Sequence, residues 1–172
     1  MEFFEAVEQR HSTRKFDGTP VRRDLLDLLV NAGRLAPTAR NEQPWEFVVV
    51  TDRRRLEDLA ALTDHGKFIA QAGACIAVLC KPSKYYLEDG SAATENLLLA
   101  AAAVGLQSCW VAGEKKEYAP RVARFLGAPD SLKLVSLVAV GRGADSAPPV
   151  KKRELAQVRH WEQYGSGTEV NG

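Results

Sequence analysis

The stretch RHSTRKF, from Arg10 to Phe16, places two guanidinium groups and two hydroxyl groups within five residues. A guanidinium is permanently charged and donates several hydrogen bonds from one plane, so this stretch could bind an anion. The net charge of the whole chain is only +1, and basic residues alternate with acidic ones, which argues against nucleic acid as the anion. We therefore expect a small, local anion; the alternative is a solvated basic turn at the end of a helix.

The sequence lacks the residue motifs of several common classes of enzyme. There is no GxGxxG between a predicted strand and helix, no GxxxxGK[ST], no HExxH and no GxSxG. The histidines, His11, His65 and His160, lie far apart without a nearby thiol or carboxylate pattern, so we predict no metal site. Ser12 and Ser108 lack a general base at a recognisable spacing. An enzyme with this sequence would therefore take its chemistry from a cofactor.

The composition is typical of one globular domain, with 172 residues of which 45% are hydrophobic and 26% charged. Cys75, Cys80 and Cys109 are odd in number and lack CxxC spacing, which predicts buried free thiols and a cytoplasmic location. The N-terminus is acidic where a signal peptide is basic, and no apolar run approaches the ~20 residues that span a bilayer. We therefore expect neither secretion nor a membrane partner.

Hydrophobic spacing predicts helices and strands that interleave along the chain. Helices are predicted over 2–9, from about Leu25 to Gly33, after a cap at Thr51 or Asp52, over 89–104 and near 119–126. The second of these helices has Leu25, Leu28, Leu29 and Ala32 on its apolar face. Gly105 is the predicted end of the helix over 89–104. Strands are predicted over 46–50, 74–80, 107–111 and 133–140, with loops over 10–16 and 36–45.

Two segments contain apolar residues that need a further surface to pack against. The segment DGSAATENLLLAAAAV, residues 89–104, lacks a wide polar face, so it must be buried on most sides, either against a sheet or at a subunit interface. The C-terminal tail begins with Pro148 and contains Leu155, Val158 and Trp161, which need a surface to lie on. These features favour contact with a partner.

Four stretches in this order resemble the successive signatures of the nitroreductase family of flavoproteins. They are RHSTRKF at 10–16, PTARNEQPW at 37–45, NLLLAAAAVGLQSCWVAG at 96–113, and KKREL followed by HWE near the C-terminus. The resemblance implies a single α+β domain over 1–172, with three α-β-α layers and a central antiparallel-rich mixed sheet. It also implies an intertwined homodimer, in which the tail, residues 148–172, packs on the partner subunit, with FMN in clefts at the interface.

The resemblance implies a phosphate site for FMN in the basic loop. Arg10 and Arg14 would be the counter-ions of the phosphate, since a guanidinium fork matches phosphate oxygens. Ser12 would make a polar contact with the flavin, and His11 would contribute through its backbone or ring. The family also brings basic tail residues to this phosphate, which here are Lys152 and Arg153, with Lys151 as a register-dependent alternative.

The resemblance implies further contacts to the flavin ring and ribityl chain. The loop at 37–45 would reach the flavin of the partner subunit, through Pro37, Thr38, Ala39, Asn41 and Gln43. Ala39 stands where family members often carry a second hydroxyl, so one side-chain contact is expected to be missing. Trp45 is expected in the core.

The reactive edge of the flavin is implied to face main-chain groups. Ala112 and Gly113 would present backbone N–H groups to N5, the atom that accepts hydride. Lys67 would lie on the N1–C2=O side, where positive charge stabilises the reduced flavin; the alternative is an exposed lysine. The short segment KPSKYYLE, residues 81–88, replaces helical structure of longer relatives, which predicts an open cleft near Tyr85 and Tyr86.

The function that the resemblance implies is that of an NAD(P)H-dependent flavin oxidoreductase. NADH or NADPH would transfer hydride to N5 and leave, and a small oxidant such as a nitroaromatic or quinone would then take two electrons at the same place. Two alternatives remain open from the sequence: a flavoprotein with a biosynthetic dehydrogenase or flavin-breakdown role, and a non-catalytic flavin-binding protein.

Overall fold

The computed structural model describes residues 1–144 and 150–166. Its helices are α1 (Phe3–Gln9), α2 (Arg23–Arg34), α3 (Arg53–Leu62), α4 (Tyr86–Ala103) and α5 (Ala119–Phe125). Its strands are β1 (Trp45–Val50), β2 (Ala74–Cys80), β3 (Gln107–Ala112) and β4 (Lys133–Gly141). Short 3₁₀ helices cover Ala39–Asn41, Lys67–Gln71 and Leu155–Gln157. The predicted interleaving of helices and strands is confirmed, and the loop at 36–45 differs from the prediction by containing a helical turn.

The four strands form one sheet in the order β1-β2-β4-β3, and each neighbouring pair is antiparallel. The expectation of an antiparallel-rich sheet is confirmed. Within the described residues, parallel pairing is confined to an isolated bridge between Ser12 and Ser108. The central strands β2 and β4 are buried on both faces, which explains their nearly continuous apolar sequences.

Helices cover both faces of the sheet. On one face, Leu56 and Leu59 of α3 and Val122 of α5 pack on the sheet. On the other face, Leu29 of α2 and Leu97 of α4 do the same. The α-β-α layering that the resemblance implies is therefore confirmed. The three cysteines are buried and free, as expected.

Helix α2 ends at Arg34, one residue beyond Gly33, near which the sequence predicts its end. A Cβ at Gly33 would lie 3.1 Å from a ring carbon of Phe47 and 3.2 Å from a methyl carbon of Leu97, so the glycine allows α2 to pack closely on β1 and α4. Leu28 is 47% exposed, and the buried stripe is instead Leu26, Leu29 and Gly33.

Helix α4 occupies the central position that its composition predicts. It packs on the sheet and against α1 and α2. It begins at Tyr86, three residues before the predicted start, and Gly105 follows it with a φ of 78°, a conformation that glycine adopts readily at the end of a helix. Thr94 of this helix is fully buried, and its hydroxyl lies 2.7 Å from that of Ser136 in β4.

The C-terminal tail is described from 150 to 166; Pro148, Pro149 and residues 167–172 lie outside the described residues. Leu155, Val158 and Trp161 are 65%, 50% and 50% exposed, so their own domain does not cover them. Their packing on a partner subunit stays a prediction. Among residues 1–144 and 150–166, no helix has both the length and the apolar character needed to cross a membrane.

Candidate functional site

The basic loop at 10–16 lies in an extended conformation along the ends of β3 and β4. The backbone N–H of Thr13 donates to the carbonyl of Ser108 at 3.0 Å, which ties the loop to β3. At its other end, Phe16 is buried and bridges to Gly143 after β4. The backbone therefore holds the loop in place and leaves Arg14 exposed.

Arg10, Ser12 and Arg14 converge on Cys109 in β3. Burial raises the pKa of the Cys109 thiol above its usual value. Three neighbours oppose this shift: in decreasing order, the positive charge of Arg14, a hydrogen bond with Ser12, and the positive charge of Arg10. The backbone bridge of Ser12 to Ser108 and the Thr13 hydrogen bond to the Ser108 carbonyl place this part of the loop at the beginning of β3.

Two loop side chains also have partners within the protomer. The Nε atom of Arg10 lies 3.9 Å from a carboxylate oxygen of Glu95 in α4, and the Arg10 side chain is 22% exposed. The Nδ1 of His11 donates to the carbonyl of Gln9 at 2.9 Å, which turns its ring toward the end of α1. The partly exposed Arg10 pair leaves donors of the guanidinium available to an anion.

A cavity of about 100 Å³ lies between the basic loop and the end of α4. Arg10, His11 and Ser108 contribute to its lining. Small-molecule sites usually enclose about 300–1,000 Å³. This cavity could therefore hold a small anionic group, and a larger ligand would need further walls.

The loop at 37–45 is held in an unusual backbone conformation. Arg40, Asn41 and Gln43 have positive φ values of 55°, 57° and 48°. Such values are uncommon for residues other than glycine and often mark functional loops. Thr38 stabilises the turn, because its Oγ1 accepts from the backbone N–H of Gln43 at 3.2 Å. Pro37, Asn41 and Gln43 are exposed, and Trp45 is buried as predicted.

The loop is tied to α4 through Ala39. The backbone N–H of Ala39 donates to Oδ1 of Asp89 at 3.1 Å. Asp89 lies in the first turn of α4 and is only 5% exposed. Sequence reasoning missed this residue, since an acidic residue at the beginning of a helix usually reflects the helix dipole alone.

The Ala112 and Gly113 amides point in different directions. The N–H of Gly113 donates to the carbonyl of Val135 at 3.1 Å, so it faces β4. Because antiparallel pairing alternates along a strand, the N–H and C=O of Ala112 point away from β4, toward the open edge of β3. The phenol of Tyr118 donates to the Ala112 carbonyl from this side. Of the two amides, that of Ala112 is the one directed outward.

Gly113 is required by close packing. A Cβ there would lie 2.6 Å from the carbonyl oxygen of Leu134 and 2.7 Å from that of Val135. Only glycine therefore allows the chain to leave β3 so close to β4.

Lys67 caps α3. Its Nζ donates to the carbonyl of Ala61 at 3.0 Å and lies 3.4 Å from that of Ala60. A cation at this position stabilises the carbonyl end of a helix. The structure gives Lys67 this role within the protomer, and its contact with a flavin stays a prediction.

The basic residues of the tail are exposed in the protomer. Lys151 pairs with Glu154 at 3.8 Å, and a guanidinium nitrogen of Arg153 donates to the carbonyl of Gln157 at 2.7 Å. Lys152 is exposed. The structure therefore does not bring the tail residues to Arg10 and Arg14 within one protomer.

The segment at 81–88 meets the end of β3 through Tyr86. Burial raises the pKa of Tyr86 to about 12, and a hydrogen bond with Glu114 adds to the shift. Glu114 directly follows Gly113, so Tyr86 lies near the turn after β3. Tyr85 is 39% exposed.

The open edge of β3 connects these features. The basic loop with Arg10 and Arg14 lies beside Ser108, at the beginning of β3. The outward amide of Ala112 lies four residues beyond Ser108. At about 3.3 Å per residue, the two are about 13 Å apart. This edge therefore carries cationic donors suited to an anionic group and an outward main-chain donor, and this set of donors is compatible with FMN.

Comparisons with known proteins find relatives in sequence and in structure. The chain is 34% identical to an Archaeoglobus fulgidus protein provisionally named NADH dehydrogenase/NAD(P)H nitroreductase, over 151 residues that cover 84% of this chain and 87% of that relative. A crystal structure of a Bacteroides thetaiotaomicron protein with the same provisional name superposes with a TM-score of 0.88 at 32% identity, covering 94% of this chain and 97% of that one.

A second solved structure contains a cofactor. It is a Desulfovibrio desulfuricans nitroreductase, also provisionally named, in complex with FMN, with a TM-score of 0.82 at 29% identity, covering 95% of this chain and 98% of that one. The model of the nitroreductase family matches residues 7–73 and 66–142, which together span most of the sequence. The chain therefore belongs to the nitroreductase family.

Proposed function

We propose that this protein is an FMN-dependent oxidoreductase that oxidises NADH or NADPH and reduces a small acceptor, such as a nitroaromatic or a quinone. The observation that carries the proposal is the edge of β3, which binds the backbone of the arginine-bearing loop at Ser108 and directs the amide of Ala112 outward at its other end. When bound, FMN supplies a hydride acceptor and donor at N5. The names of the relatives and the FMN complex of one of them support this assignment.

Different residues of the chain bind the phosphate and the ring of FMN. Arg10 and Arg14 bind the phosphate with charge-assisted hydrogen bonds, and Ser12, which lies between them in sequence, adds a hydroxyl. The Ala112 N–H donates toward N5, and the Tyr118 phenol fixes the peptide group that follows it. Preorganised donors of this kind stabilise developing charge without reorganisation during the reaction.

A homodimer supplies the remaining walls of the site. The cavity at the basic loop is too small for a whole flavin, and the loop at 37–45 carries its exposed amides, Asn41 and Gln43, elsewhere on the surface. We place this loop, and the tail residues Lys152 and Arg153, against the flavin of the partner subunit. The exposed apolar side chains of the tail supply the surface for that association.

The reaction needs no acid or base from the protein in its hydride-transfer steps. Ping-pong exchange places the nicotinamide and the acceptor in turn on the same exposed face of the ring. The protein then contributes by positioning the reactants and by its electrostatics. The short segment at 81–88 leaves this face accessible, with Tyr85 and Tyr86 beside it.

Reduction of the bound flavin tests this function directly. The purified protein should be yellow and should release FMN rather than FAD on denaturation. Anaerobic addition of NADH or NADPH should bleach the flavin absorption, and a nitroaromatic or quinone should restore it. Flavin that neither nucleotide bleaches would favour a non-catalytic binding protein, and a colourless protein that does not retain micromolar FMN would overturn the proposal.

Glu95→Gln should raise the affinity for FMN. The Glu95 carboxylate lies 3.9 Å from Arg10, where it competes with a phosphate for the same guanidinium. A partly exposed pair is worth about 0.2–1 kcal/mol, so the gain should be no more than about fivefold. Fluorescence titration with FMN measures it. Glu88→Gln is the matched control, since it removes an exposed carboxylate from the same helix; equal affinities of all three proteins would show that Glu95 does not oppose the phosphate.

A further inference from the structure

Asp89 is a buried carboxylate that joins two distant parts of the chain. It is 5% exposed, and its Oδ1 accepts from the backbone N–H of Ala39, fifty residues away in sequence. Its Oδ2 is buried without a hydrogen-bond partner among the described residues. Asp89 therefore has more hydrogen-bonding capacity than its one contact with Ala39 uses.

Fold stability does not explain why a carboxylate is buried at this position. Burying a charged group is costly unless it is paired and fully hydrogen-bonded, and an unsatisfied buried acceptor adds to the cost. A single contact with a backbone N–H does not satisfy both oxygens of Asp89. The loop that this contact holds gives a better reason.

That loop has the backbone of a binding loop. Arg40, Asn41 and Gln43 all have positive φ values, and the side chains of Asn41 and Gln43 are exposed. Within the loop, the Gln43 N–H donates to the Thr38 hydroxyl, and the Gln43 side-chain amide lies 3.4 Å from the Asn41 carbonyl. The bond to Asp89 anchors this turn to α4, which is central to the packing of the domain.

We infer that Asp89 is a positioning residue for the flavin ring, because its carboxylate fixes the turn that presents Asn41 and Gln43. This inference rests on the proposed function. Asp89 acts through the backbone of Ala39 and does not itself touch the flavin. A charged acceptor is suited to this role, since hydrogen bonds to ionised groups are about twice as strong as neutral ones.

A series of substitutions at Asp89 tests the inference. Asp89→Ala removes the acceptor and should weaken binding of both FMN and riboflavin by about tenfold or more. Asp89→Asn keeps an acceptor of similar shape without the charge, so its loss should be smaller and again equal for the two flavins. Glu57→Gln, which removes an exposed carboxylate from α3, is the control and should bind both flavins like the parent.

An equal loss of affinity for FMN and riboflavin is expected when the defect lies in the loop at 37–45, which faces the flavin ring in the proposed function. Riboflavin lacks the phosphate, so a defect at the basic loop would appear with FMN alone. At saturating FMN, the visible circular dichroism of the flavin should also change in Asp89→Asn and not in Glu57→Gln. The free energy of unfolding of the flavin-free Asp89→Asn protein should equal or exceed that of the parent, because the substitution removes a poorly satisfied buried charge.

Three outcomes would overturn the inference. One is binding of both flavins by Asp89→Asn and Asp89→Ala with the affinity of the parent. Another is a loss confined to FMN. The third is a lower free energy of unfolding in Asp89→Asn with unchanged flavin affinity and circular dichroism, which would mark a purely structural residue. If Asp89→Ala does not fold, Asp89→Asn decides alone. A parent protein that binds neither flavin would instead overturn the proposed function, and the inference with it.

Discussion

Arg10→Ala and Arg14→Ala should each weaken FMN binding about tenfold to a hundredfold, while riboflavin binding stays nearly unchanged. Each substitution leaves the phosphate dianion with one charged partner fewer in a partly desolvated site. The loss of a charge-assisted hydrogen bond costs about 1.5–3 kcal/mol. Riboflavin lacks the phosphate, so the ratio of the two affinities isolates this contact. Fluorescence titration of the flavin-free variants with each ligand measures that ratio.

The two arginines should not be equivalent. Arg10 pairs with Glu95, whereas Arg14 is exposed. Arg10→Ala also removes the partner of the Glu95 carboxylate, which is then left to repel the phosphate. Adding Glu95→Gln to Arg10→Ala should therefore recover part of the lost FMN affinity, and adding it to Arg14→Ala should help less.

Two controls separate charge, geometry and folding. Lysine at either position restores the charge without the planar fork, so it should recover only part of the affinity. Arg54→Ala removes an exposed arginine from α3 and should leave both flavin affinities unchanged. If Arg10→Ala and Arg14→Ala bind FMN like the parent, or lose riboflavin equally, the phosphate does not lie at this loop.

The elements whose prediction succeeded are those with a strong local pattern. Strand β2 was predicted with its observed bounds, because a short apolar run bounded by polar residues is typical of a central strand. Helix α4 was predicted from its lack of a polar face, and the basic loop from its composition alone. In these cases the residues within one segment contain the information.

The details that the sequence could not supply depend on contacts between segments. Gly33 resembles a helix terminator, and only the neighbouring Phe47 and Leu97 reveal that it is a close-packing position. Lys67 is exposed, as the alternative interpretation expects, and only the position of the end of α3 shows that its ammonium group also caps that helix. Asp89 resembles an ordinary first-turn acid, because its partner Ala39 lies in a distant loop.

The Ala112 and Gly113 pair shows the same limit at atomic scale. The resemblance implies that the amides of both Ala112 and Gly113 face the reactive edge of the ring, but the Gly113 N–H donates to the Val135 carbonyl instead. Strand register decides this, since residues that pair with β4 and residues that face the open edge alternate. A shift of register by one residue would exchange the roles of the two amides.

Deleting residues 150–172 should give insoluble or flavin-free protein. In the protomer, Leu155, Val158 and Trp161 leave at least half of their surface exposed, and Phe3 and Phe4 of α1 are 62% and 77% exposed. Apolar side chains in this number are typical of a subunit interface. The deletion would remove the tail from the interface and Lys152 and Arg153 from the proposed phosphate site. Size-exclusion chromatography with light scattering and the flavin spectrum of the purified protein measure both effects.

A point-substituted tail distinguishes the loss of the apolar contacts from the loss of the basic residues. Replacing Leu155, Val158 and Trp161 with serine keeps Lys152 and Arg153, yet should still shift the protein toward monomer and lower FMN retention, because the dimer brings the tail to the partner's flavin. Gln163→Ser, at an exposed polar position of the same tail, should remain a flavin-loaded dimer. Replacing only Lys152 and Arg153 with serine should instead leave the dimer intact and weaken FMN without affecting riboflavin. A soluble, FMN-loaded monomer lacking residues 150–172 would show that one chain completes the site by itself, and the proposed exchange of tails would then be wrong.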